Sequence, residues 1–431
     1  MSLLTKASLI LTPNAFKTSK LYSIVPSSGN GDMTAVRATT ATRVNSSGLV
    51  ELVGNNIPRL NYDANGSASI LLEPQRTNLL SYSSTFTDNA WVKVSTTAVL
   101  DSTILSPDGT ANSYKISRNS VSANSYITKT STSSTVTVYT FTVYAKLGDV
   151  STNLGIRSAA IYPNRGDALF NLSTGTLIGV ANGGTNTSTS GSIQSVGNGW
   201  YRCSVTTTFA GTGFNIQGLI SPTSLTTISG YEAADGALSN AYVWGAQLEQ
   251  GAYPTSYIPT TTIALTRNGD VIDKNSVGSD ILNPSEGTFY AEIAALSNDL
   301  ISRSITLSDG TDLNQVNIQF GSVSNIIRLD IYGQTGVGTT ANYRSNVSVS
   351  NTTTFHKALI KWGIGGIFGF VNGVKYTLAL AVGTGSGIPT ALNRIDFKQW
   401  WGGNGFYGQC KGLQIYKTAL TDAECISLTT L

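Results

Sequence analysis

Apolar and polar side chains alternate with a period of two residues through most of this sequence. In one run the apolar face carries Tyr139, Phe141, Val143 and Ala145, and in a second the predicted face carries Tyr242, Trp244, Ala246 and Leu248. Because successive side chains of a strand point to opposite faces of its sheet, this pattern is typical of strands with one buried face. Clusters of Gly, Asn, Ser and Thr separate the runs and predict turns. The alternation therefore predicts an all-β chain built from sandwiches.

Two local signals predict individual elements. Asn372 and Gly373 lie between the apolar segments GIFGFV and VKYTLAL, and an Asn-Gly pair suits the two positive φ angles of a type I′ hairpin turn. Near the end of the chain, Thr421 and Glu424 have the spacing of a capping box. We therefore expect a hairpin at residues 372–373 and a short helix that begins after Thr421.

The chain is long enough for more than one domain, since 431 residues exceed what a single core usually supports. The segment Gly251–Arg267 holds two prolines and a run of threonines, which predicts an extended linker. Residues 1–80 contain few strand-length alternating runs, and we expect that they cannot bury a large core alone. These features divide the chain into residues 1–80, 81–265 and 266–431.

Charge and composition exclude several classes of function. Charged residues make up 12% of the chain, about half the usual share, and the net charge is +3 without any cluster of Lys or Arg, so we expect no nucleic-acid partner. No apolar stretch reaches the length of a membrane span, and we expect no membrane partner. Cys203, Cys410 and Cys425 are too scattered for a disulfide framework and are predicted to be thiols. With His356 as the sole histidine, we predict no metal site and no cofactor.

An ordered series of motifs covers roughly residues 35 to 268. It consists of ATRVNSSGLVELV, PRLNY, LLEPQRTNLL, NAWVK, SPDGTANSYKI, YTFTVYAK, GWYRCSVTTTF and VWGAQLEQGAYPTSYIPTT. This series resembles the head-spike-fibre type of bacteriophage virion protein. The resemblance implies a virion attachment region at 1–80 and a galactose-binding-like or carbohydrate-binding-module-like jelly roll at 81–265. In residues 266–431, GTFYAEI and GLQIYKTALTDAE resemble the opening and closing segments of a concanavalin A-like or laminin-G-like sandwich. The expected fold is thus all-β, with tandem β-sandwiches behind an N-terminal attachment region.

The segment KQWWGGNGFYGQ is the candidate carbohydrate-binding site, with Trp400, Trp401, Asn404 and Tyr407 as its predicted residues. Sugar rings expose an apolar face of C–H groups, so a platform of aromatic rings with nearby amide groups suits them. Core packing or a subunit interface is the alternative interpretation of the same residues. Asp309 and Asp312 could hold calcium, but a DG pair in a turn is their ordinary role.

The resemblance implies a non-enzymatic virion structural protein, a head fibre that decorates the capsid and binds glycans on host or mucosal surfaces. Spacing pairs no two acids into a catalytic site, and we predict no enzyme activity. We expect the chain to form a homo-oligomer, with a trimer favoured over a dimer. We also expect it to bind a capsid or other virion protein through residues 1–80. The expected location is the virion surface, after synthesis in the bacterial cytoplasm and release by lysis. A tail fibre that binds the receptor and a polysaccharide depolymerase remain the alternatives.

Overall fold

The computed structural model describes residues 2–133, 137–150, 153–160, 162–185, 188–209, 214–403 and 405–431. The first elements are α1 (Leu3–Lys6), β1 (Leu9–Lys17), β2 (Lys20–Val25), β3 (Met33–Val36), β4 (Ala41–Val44), β5 (Val50–Val53), β6 (Arg59–Tyr62), β7 (Ala68–Leu72) and β8 (Arg76–Asn78). The next are β9 (Val92–Val94), β10 (Thr96–Asp101), β11 (Ser113–Arg118), β12 (Tyr126–Ser133), β13 (Val138–Leu147), β14 (Asn153–Ala159), β15 (Arg165–Asn171), β16 (Thr176–Gly183), β17 (Ser188–Ser195), β18 (Trp200–Thr208), β19 (Phe214–Thr223) and β20 (Asn240–Gln250). The last are β21 (Leu265–Arg267), β22 (Val271–Lys274), β23 (Gly287–Ala295), β24 (Arg303–Ser308), β25 (Gln315–Phe320), β26 (Ile326–Gly336), β27 (Thr339–Ser348), β28 (His356–Trp362), β29 (Phe368–Val371), β30 (Val374–Thr377), β31 (Ala379–Val382), β32 (Arg394–Asp396), β33 (Gly408–Tyr416) and α2 (Asp422–Thr429).

The middle of the chain forms the first sandwich. One antiparallel sheet has the strand order β10-β11-β20-β13-β18-β17 and the other β16-β15-β14-β19-β12-β9. Alternating side chains of both sheets, including Phe141, Ile156 and Phe170, fill the space between them together with Trp91, which immediately precedes β9. Each of these four is at most 1% exposed. Burial of such side chains contributes about 1.5 to 3 kcal/mol each and drives the two sheets together.

The second sandwich wraps one continuous antiparallel sheet around its own core. The strand order is β31-β27-β26-β25-β24-β32-β22-β3-β2-β1-β33-β23-β28-β29-β30, with β7 and then β6 pairing beside β33. Ile305, Ile318 and Leu329 from one layer meet Phe289 and Ile360 from the other. The predicted all-β class with two sandwiches is therefore confirmed.

Strands β1, β2, β3, β6 and β7 are part of the second sandwich, which corrects the separate region predicted for residues 1–80; β4 and β5 pair with each other, and β8 pairs with β21. Strand β1 pairs with β33 through Leu9 opposite Ile415, and β7 pairs with the same strand through Ile70 opposite Cys410. Leu9 and Ile70 are fully buried in the core of that sandwich. The short runs of residues 1–80 lack a core of their own because the C-terminal strands supply it. The first sandwich is consequently inserted between two parts of the second. Residues 1–80 therefore do not form an independent domain.

The segment predicted as an extended linker is also packed. Tyr253, Tyr257 and Ile258 are at most 5% exposed. Glu249 accepts hydrogen bonds from the Thr255 backbone N–H at 2.9 Å and from its hydroxyl at 2.7 Å, so the chain folds back onto the first sandwich. Buried apolar and hydrogen-bonded residues of this kind fix the segment in place.

A bulge in β20 divides the face that alternation predicted for this strand. Ala246 and Leu248 lie in the core of the first sandwich, whereas Tyr242 and Trp244 pack with Tyr257 on the other side of the sheet. The register against β13 shifts here, and Gly245 has a φ of 59°. One additional residue in a strand reverses the direction of every side chain beyond it.

Both local predictions are confirmed. Strands β29 and β30 join at Asn372 and Gly373, whose φ angles are 51° and 81°. Thr421 caps α2: its hydroxyl accepts a hydrogen bond from the Glu424 N–H at 3.3 Å, and the Glu424 carboxylate accepts one from the Thr421 N–H at 3.0 Å. The three cysteines are free thiols, as predicted, and the structure buries all three.

Candidate functional site: a polar row and an aromatic loop

The face of the second sandwich that points away from its core carries a row of polar residues across six neighbouring strands. Strand pairing places these residues opposite one another in the order Asp273, Asp396, Thr306, Asn317, Asp330 and Arg344. Their apolar neighbours, such as Ile305, Val316, Ile318 and Leu329, point into the core. We call this set the polar row. It exists because six strands alternate in phase, which puts their polar positions at the same height.

One end of the polar row is fully paired. Asp330 is 0% exposed and accepts hydrogen bonds from Gln319, Arg328 and Arg344. The side chains of Arg328 and Arg344 are 24% and 29% exposed, so both arginines reach solvent at this end of the row. Charge-assisted bonds to a buried carboxylate hold it firmly in position.

The other end of the polar row is less completely paired. Asn317 is 2% exposed; its Nδ2 donates to Gln315 Oε1 at 3.2 Å, but its buried Oδ1 has no partner among the described residues. Asp396 is 3% exposed, and its carboxylate forms no ion pair with a Lys or Arg side chain of the described residues. A buried acceptor without a partner, such as Asn317 Oδ1, is rare in native proteins because it costs free energy, and it requires an explanation such as a ligand.

Electrostatics raise the proton affinity of Asp396. Burial, together with the negative charge of Asp273 on the neighbouring strand, raises the pKa of Asp396 to about 6, although Lys398 and Arg394 act in the opposite direction. Lys398 instead forms its ion pair with Asp273, at 3.2 Å. The Asp396 carboxylate thus lacks the close cation that its neighbour has.

The predicted aromatic residues lie on the loop between β32 and β33, at the edge of the polar row. Trp401 is 57% exposed, Trp400 and Tyr407 are half-buried, and none of the three belongs to an apolar core cluster of the described chain. Asn404 lies outside the described residues. The two tryptophans occupy a turn and not a strand.

The loop is held in a tight turn that presents Trp401. The Gln399 N–H donates to the Gly403 carbonyl at 3.0 Å, and the Gly402 N–H donates to the Gln399 carbonyl at 2.9 Å. A Cβ atom on Gly403 would lie 1.8 Å from the Trp401 ring, so only glycine lets the indole fold over this turn. The indole N–H donates to Gln399 Oε1 at 2.8 Å, which fixes the ring while its remaining surface faces solvent.

Gln399 connects the loop to the polar row. Its Nε2 donates to Gln319 Oε1 at 3.4 Å, and Gln319 in turn donates to Asp330. Tyr407 is less available than predicted, because the Arg303 guanidinium lies over its ring at 5.2 Å. The structure therefore brings Trp401 together with an amide and carboxylate surface, and it assigns Tyr407 to an internal contact.

Sequence reasoning missed the polar row, although its signal was present in two strands. In QVNIQF and IIRLDIY the residues between the apolar positions include Gln315, Asn317, Gln319, Arg328 and Asp330. What the sequence lacked was the register that places Asp396 and Asp273 beside them. Strand pairing places Asp273 opposite Asp396, which spacing along the chain did not indicate. The absence of a catalytic acid pair stays a prediction.

Other predicted features occupy ordinary positions. Asp309 accepts hydrogen bonds from the Thr311 N–H at 2.9 Å and its hydroxyl at 2.6 Å, which is the geometry of a turn. Within the described ranges, no group of three or more His, Cys, Asp or Glu side chains could hold a metal ion. No helix in the same ranges is long and apolar enough to cross a membrane.

Comparisons with known proteins give distant structural likenesses. No family model matches the chain, and no curated protein matches it. The Ruminococcus gnavus IT-sialidase CBM40 bound to α2,3-sialyllactose is 17% identical, with a TM-score of 0.27, over 34% of this chain and 83% of that one. A leech intramolecular trans-sialidase is 16% identical with a TM-score of 0.30, over 37% and 27% of the two chains. Domains LG4-5 of the mouse laminin α1 chain are 9% identical with a TM-score of 0.24, over 69% and 88%. The all-β class rests on the strand pairing described above, and the site rests on its own geometry.

Proposed function

We propose that this chain is a non-enzymatic structural protein of a bacteriophage virion, a head fibre that decorates the capsid and binds glycans on host or mucosal surfaces. The observation that carries the glycan-binding part is the polar row, in which Asn317 presents a buried acceptor without a partner and Asp396 presents a carboxylate without an ion pair. The virion part is supported by the ordered motifs of residues 35 to 268 that resemble head-spike-fibre proteins.

The chemistry of the row suits a ligand that is rich in hydroxyl groups. Sugar hydroxyls donate hydrogen bonds, and the unpartnered atoms of the row are acceptors. The exposed indole of Trp401 at the edge of the row can stack on the apolar face of a sugar ring. The chain forms a homo-oligomer in this proposal, with a trimer favoured over a dimer. Several linked sites would offset a low affinity per site, because once one site has bound the glycan surface, binding by the other sites is intramolecular.

A single substitution in the row tests the glycan-binding part. Replacing Asn317 with Ala removes the unpartnered acceptor, and we expect roughly 5- to 10-fold weaker binding to the glycan that an array screen identifies. Asn182→Ala, an exposed asparagine of β16 in the first sandwich, is the matched control and should bind normally. If both variants bind the glycan as tightly as the wild type does, the polar row is not the glycan-binding site.

Labelling of intact particles tests the virion part. Gold-conjugated antibody against residues 270–431 should decorate the capsid of the phage that carries this gene. Label confined to the tail tip would reassign the chain as a tail fibre that binds the receptor. Unlabelled particles would refute a virion location.

Polysaccharide hydrolysis is the second candidate function, because the strand register puts Asp273 and Asp396 on the same face of neighbouring strands. Glycosidases use two carboxylates of this kind, one with a raised pKa as the acid. Burial argues against the assignment, since Asp396 is only 3% exposed and Asp273 is held by Lys398. A reducing-sugar assay on host capsule decides: sugar release that Asp396→Asn abolishes would establish the enzyme.

A further inference from the structure

A cleft of about 560 Å³ lies between the two sandwiches, away from the polar row. Strands β17 and β18 of the first sandwich form one wall, residues 252–254 form the floor, and residues 295–298 with Thr353 and Gln409 of the second sandwich form the other wall. This volume falls within the range of small-molecule sites. The cleft is thus a feature of the assembled chain, since each sandwich contributes only part of it.

Hydroxyl and amide groups line most of the cleft. Serines 190, 192 and 204 and Thr206 lie on the first sandwich, and Ser297, Asn298 and Gln409 lie opposite. The Oε1 atom of Gln409 accepts a hydrogen bond from Ser69 at 2.8 Å, which orients the amide. Such groups bind ligands that carry several hydroxyls, while Tyr253 and Pro254 offer apolar surface for ring C–H groups.

Arg202 gives the cleft its charge. It is the one ionisable cation among the described lining residues, and those residues include no Asp or Glu. Its Nη2 donates to the Thr255 carbonyl, and its guanidinium lies over the Tyr144 ring at 5.5 Å, so the side chain is fixed. Its Nε is buried and has no acceptor among the described groups. A fixed guanidinium with an unused donor is suited to a carboxylate.

Tyr253 adds an independent sign of a missing ligand. The residue is 5% exposed, lines the cleft, and its hydroxyl has no hydrogen-bond partner in the described chain. Burial raises the pKa of this hydroxyl to about 12, although Arg303 and Arg76 act against the shift, so the group is neutral and can both donate and accept. Two unpartnered polar groups in one cleft are difficult to explain by folding alone, because each costs stability.

We propose that this cleft between the two sandwiches is a second binding site, specific for a carboxylated saccharide. The carboxylate meets Arg202, a ring hydroxyl meets Tyr253, and the other hydroxyls meet the serine and amide groups of the walls. The site is separate from the polar row and requires neither Trp401 nor Asp396.

Calorimetric titration of the full chain with digalacturonate tests the proposal, with neutral digalactose and sodium acetate as comparison ligands. Digalacturonate should bind at least about tenfold more tightly than digalactose, because only the acid pairs with Arg202. Acetate should not compete at equal concentration. Equal binding of the neutral sugar, effective competition by acetate, or no binding of digalacturonate would overturn the proposal.

Three variants locate the binding. Tyr253→Phe removes only an unpartnered hydroxyl, so it should weaken digalacturonate binding at least fivefold without lowering the melting temperature. Ser190→Trp should fill the cleft and abolish binding, whereas Ser195→Trp, on the same strand but outside the cleft, should bind normally. Normal binding by Tyr253→Phe and Ser190→Trp, or loss of binding in Trp401→Ala, would place the ligand elsewhere and refute the cleft site.

Discussion

Two groups of buried polar residues in the second sandwich differ in how completely they are paired. At the junction of the N-terminal strands with β22, five charged residues are at most 8% exposed, and each lies within 3.7 Å of an opposite charge. These residues, which we call the junction cluster, are Arg37, Arg59, Glu73, Arg267 and Asp270. In the polar row, Asp396 is similarly buried but forms no ion pair with a described residue, and Asn317 Oδ1 has no hydrogen-bond partner among those residues. Arg267 Nε and Nη1 of the junction cluster also lack hydrogen bonds, so the two groups differ in charge compensation. A close opposite charge at every member of the junction cluster indicates a structural role, and the uncompensated Asp396 carboxylate indicates a place for a ligand.

The junction cluster explains why the ends of the chain form one sandwich. Arg59 Nη1 lies 2.7 Å from Glu73 Oε2, and Arg59 also pairs with Asp270. Glu73 further accepts a hydrogen bond from the Ser256 N–H at 2.7 Å. The cluster thus ties the N-terminal strands, the folded-back segment 251–267 and the start of the C-terminal strands together.

Removing residues 1–60 should have the largest effect. The deletion takes away β1, β2 and β3 with the fully buried Leu9, Leu11 and Leu21, and it removes both Arg37 and Arg59 from the junction cluster. We expect the second sandwich to unfold while the first keeps its strands. Limited proteolysis with mass spectrometry of the protected fragments measures this outcome. A truncated chain with an intact second sandwich would mean that the N-terminal strands are a removable attachment.

Replacing Glu73 with Ala should destabilise the chain by about 3 to 5 kcal/mol, because it leaves buried arginines without their counter-charge. Burial opposes ionisation of Glu73, but Arg267 and Arg59 hold its pKa well below the usual range. Urea unfolding at pH 7 measures the loss. Glu51→Ala is the control. The Glu51 side chain is 41% exposed, so its ion pair with Arg43 should contribute less than about 1 kcal/mol. Similar losses in both variants would contradict the structural role of the cluster.

Asp396→Asn should increase the stability of the chain, in contrast to Glu73→Ala, and by a smaller amount. The folded-state pKa of Asp396 is raised to about 6, so the folded chain binds its proton more tightly than the unfolded chain does. This group therefore lowers stability as pH rises from about 4 to 6, and the cost is fully present above pH 6. The variant should be more stable by on the order of 1 kcal/mol at pH 7.5 and unchanged at pH 4, after allowance for screening by Lys398 and Arg394.

Melting temperatures of wild type and Asp396→Asn at several pH values between 4 and 7.5 measure this difference. Glu73 has a lowered pKa, so its stabilisation begins to be lost as pH falls towards about 4.5, at the lower end of this range; both proteins keep Glu73, so this loss cancels in their difference. A stabilised Asp396→Asn variant that also binds glycan less tightly would show that the carboxylate is kept for binding. Lower stability at pH 7.5 would mean that Asp396 has a structural partner, and the contrast with the junction cluster would fail.

The sequence predicts local elements well, and it predicts alternating faces where no bulge interrupts the strand, as one does in β20, but it does not predict long-range register. The hairpin at Asn372 and the cap at Thr421 depend on neighbouring residues, and both were predictable. The pairing of Leu9 with Ile415 joins residues about 400 positions apart, and no local pattern encodes it. The same limit hid the polar row, since Asp396 becomes a neighbour of Asp273 only through the strand pairing.

The smallest stability effect should come from Trp401→Ala. The indole is 57% exposed, and its N–H donates to Gln399 within the same loop, so the melting temperature should change little. Trp362→Ala is the contrasting variant: this tryptophan is 1% exposed in the core, and its loss should cost about 3 to 5 kcal/mol. If Trp401 stacks on sugar bound at the polar row, its removal should cost about 1 to 2 kcal/mol of binding, roughly 5- to 30-fold in affinity. A glycan titration and a melting curve on each variant separate the two effects. Unchanged glycan binding in a stable Trp401→Ala protein would show that Trp401 does not contact the sugar and that the site consists of the polar row alone.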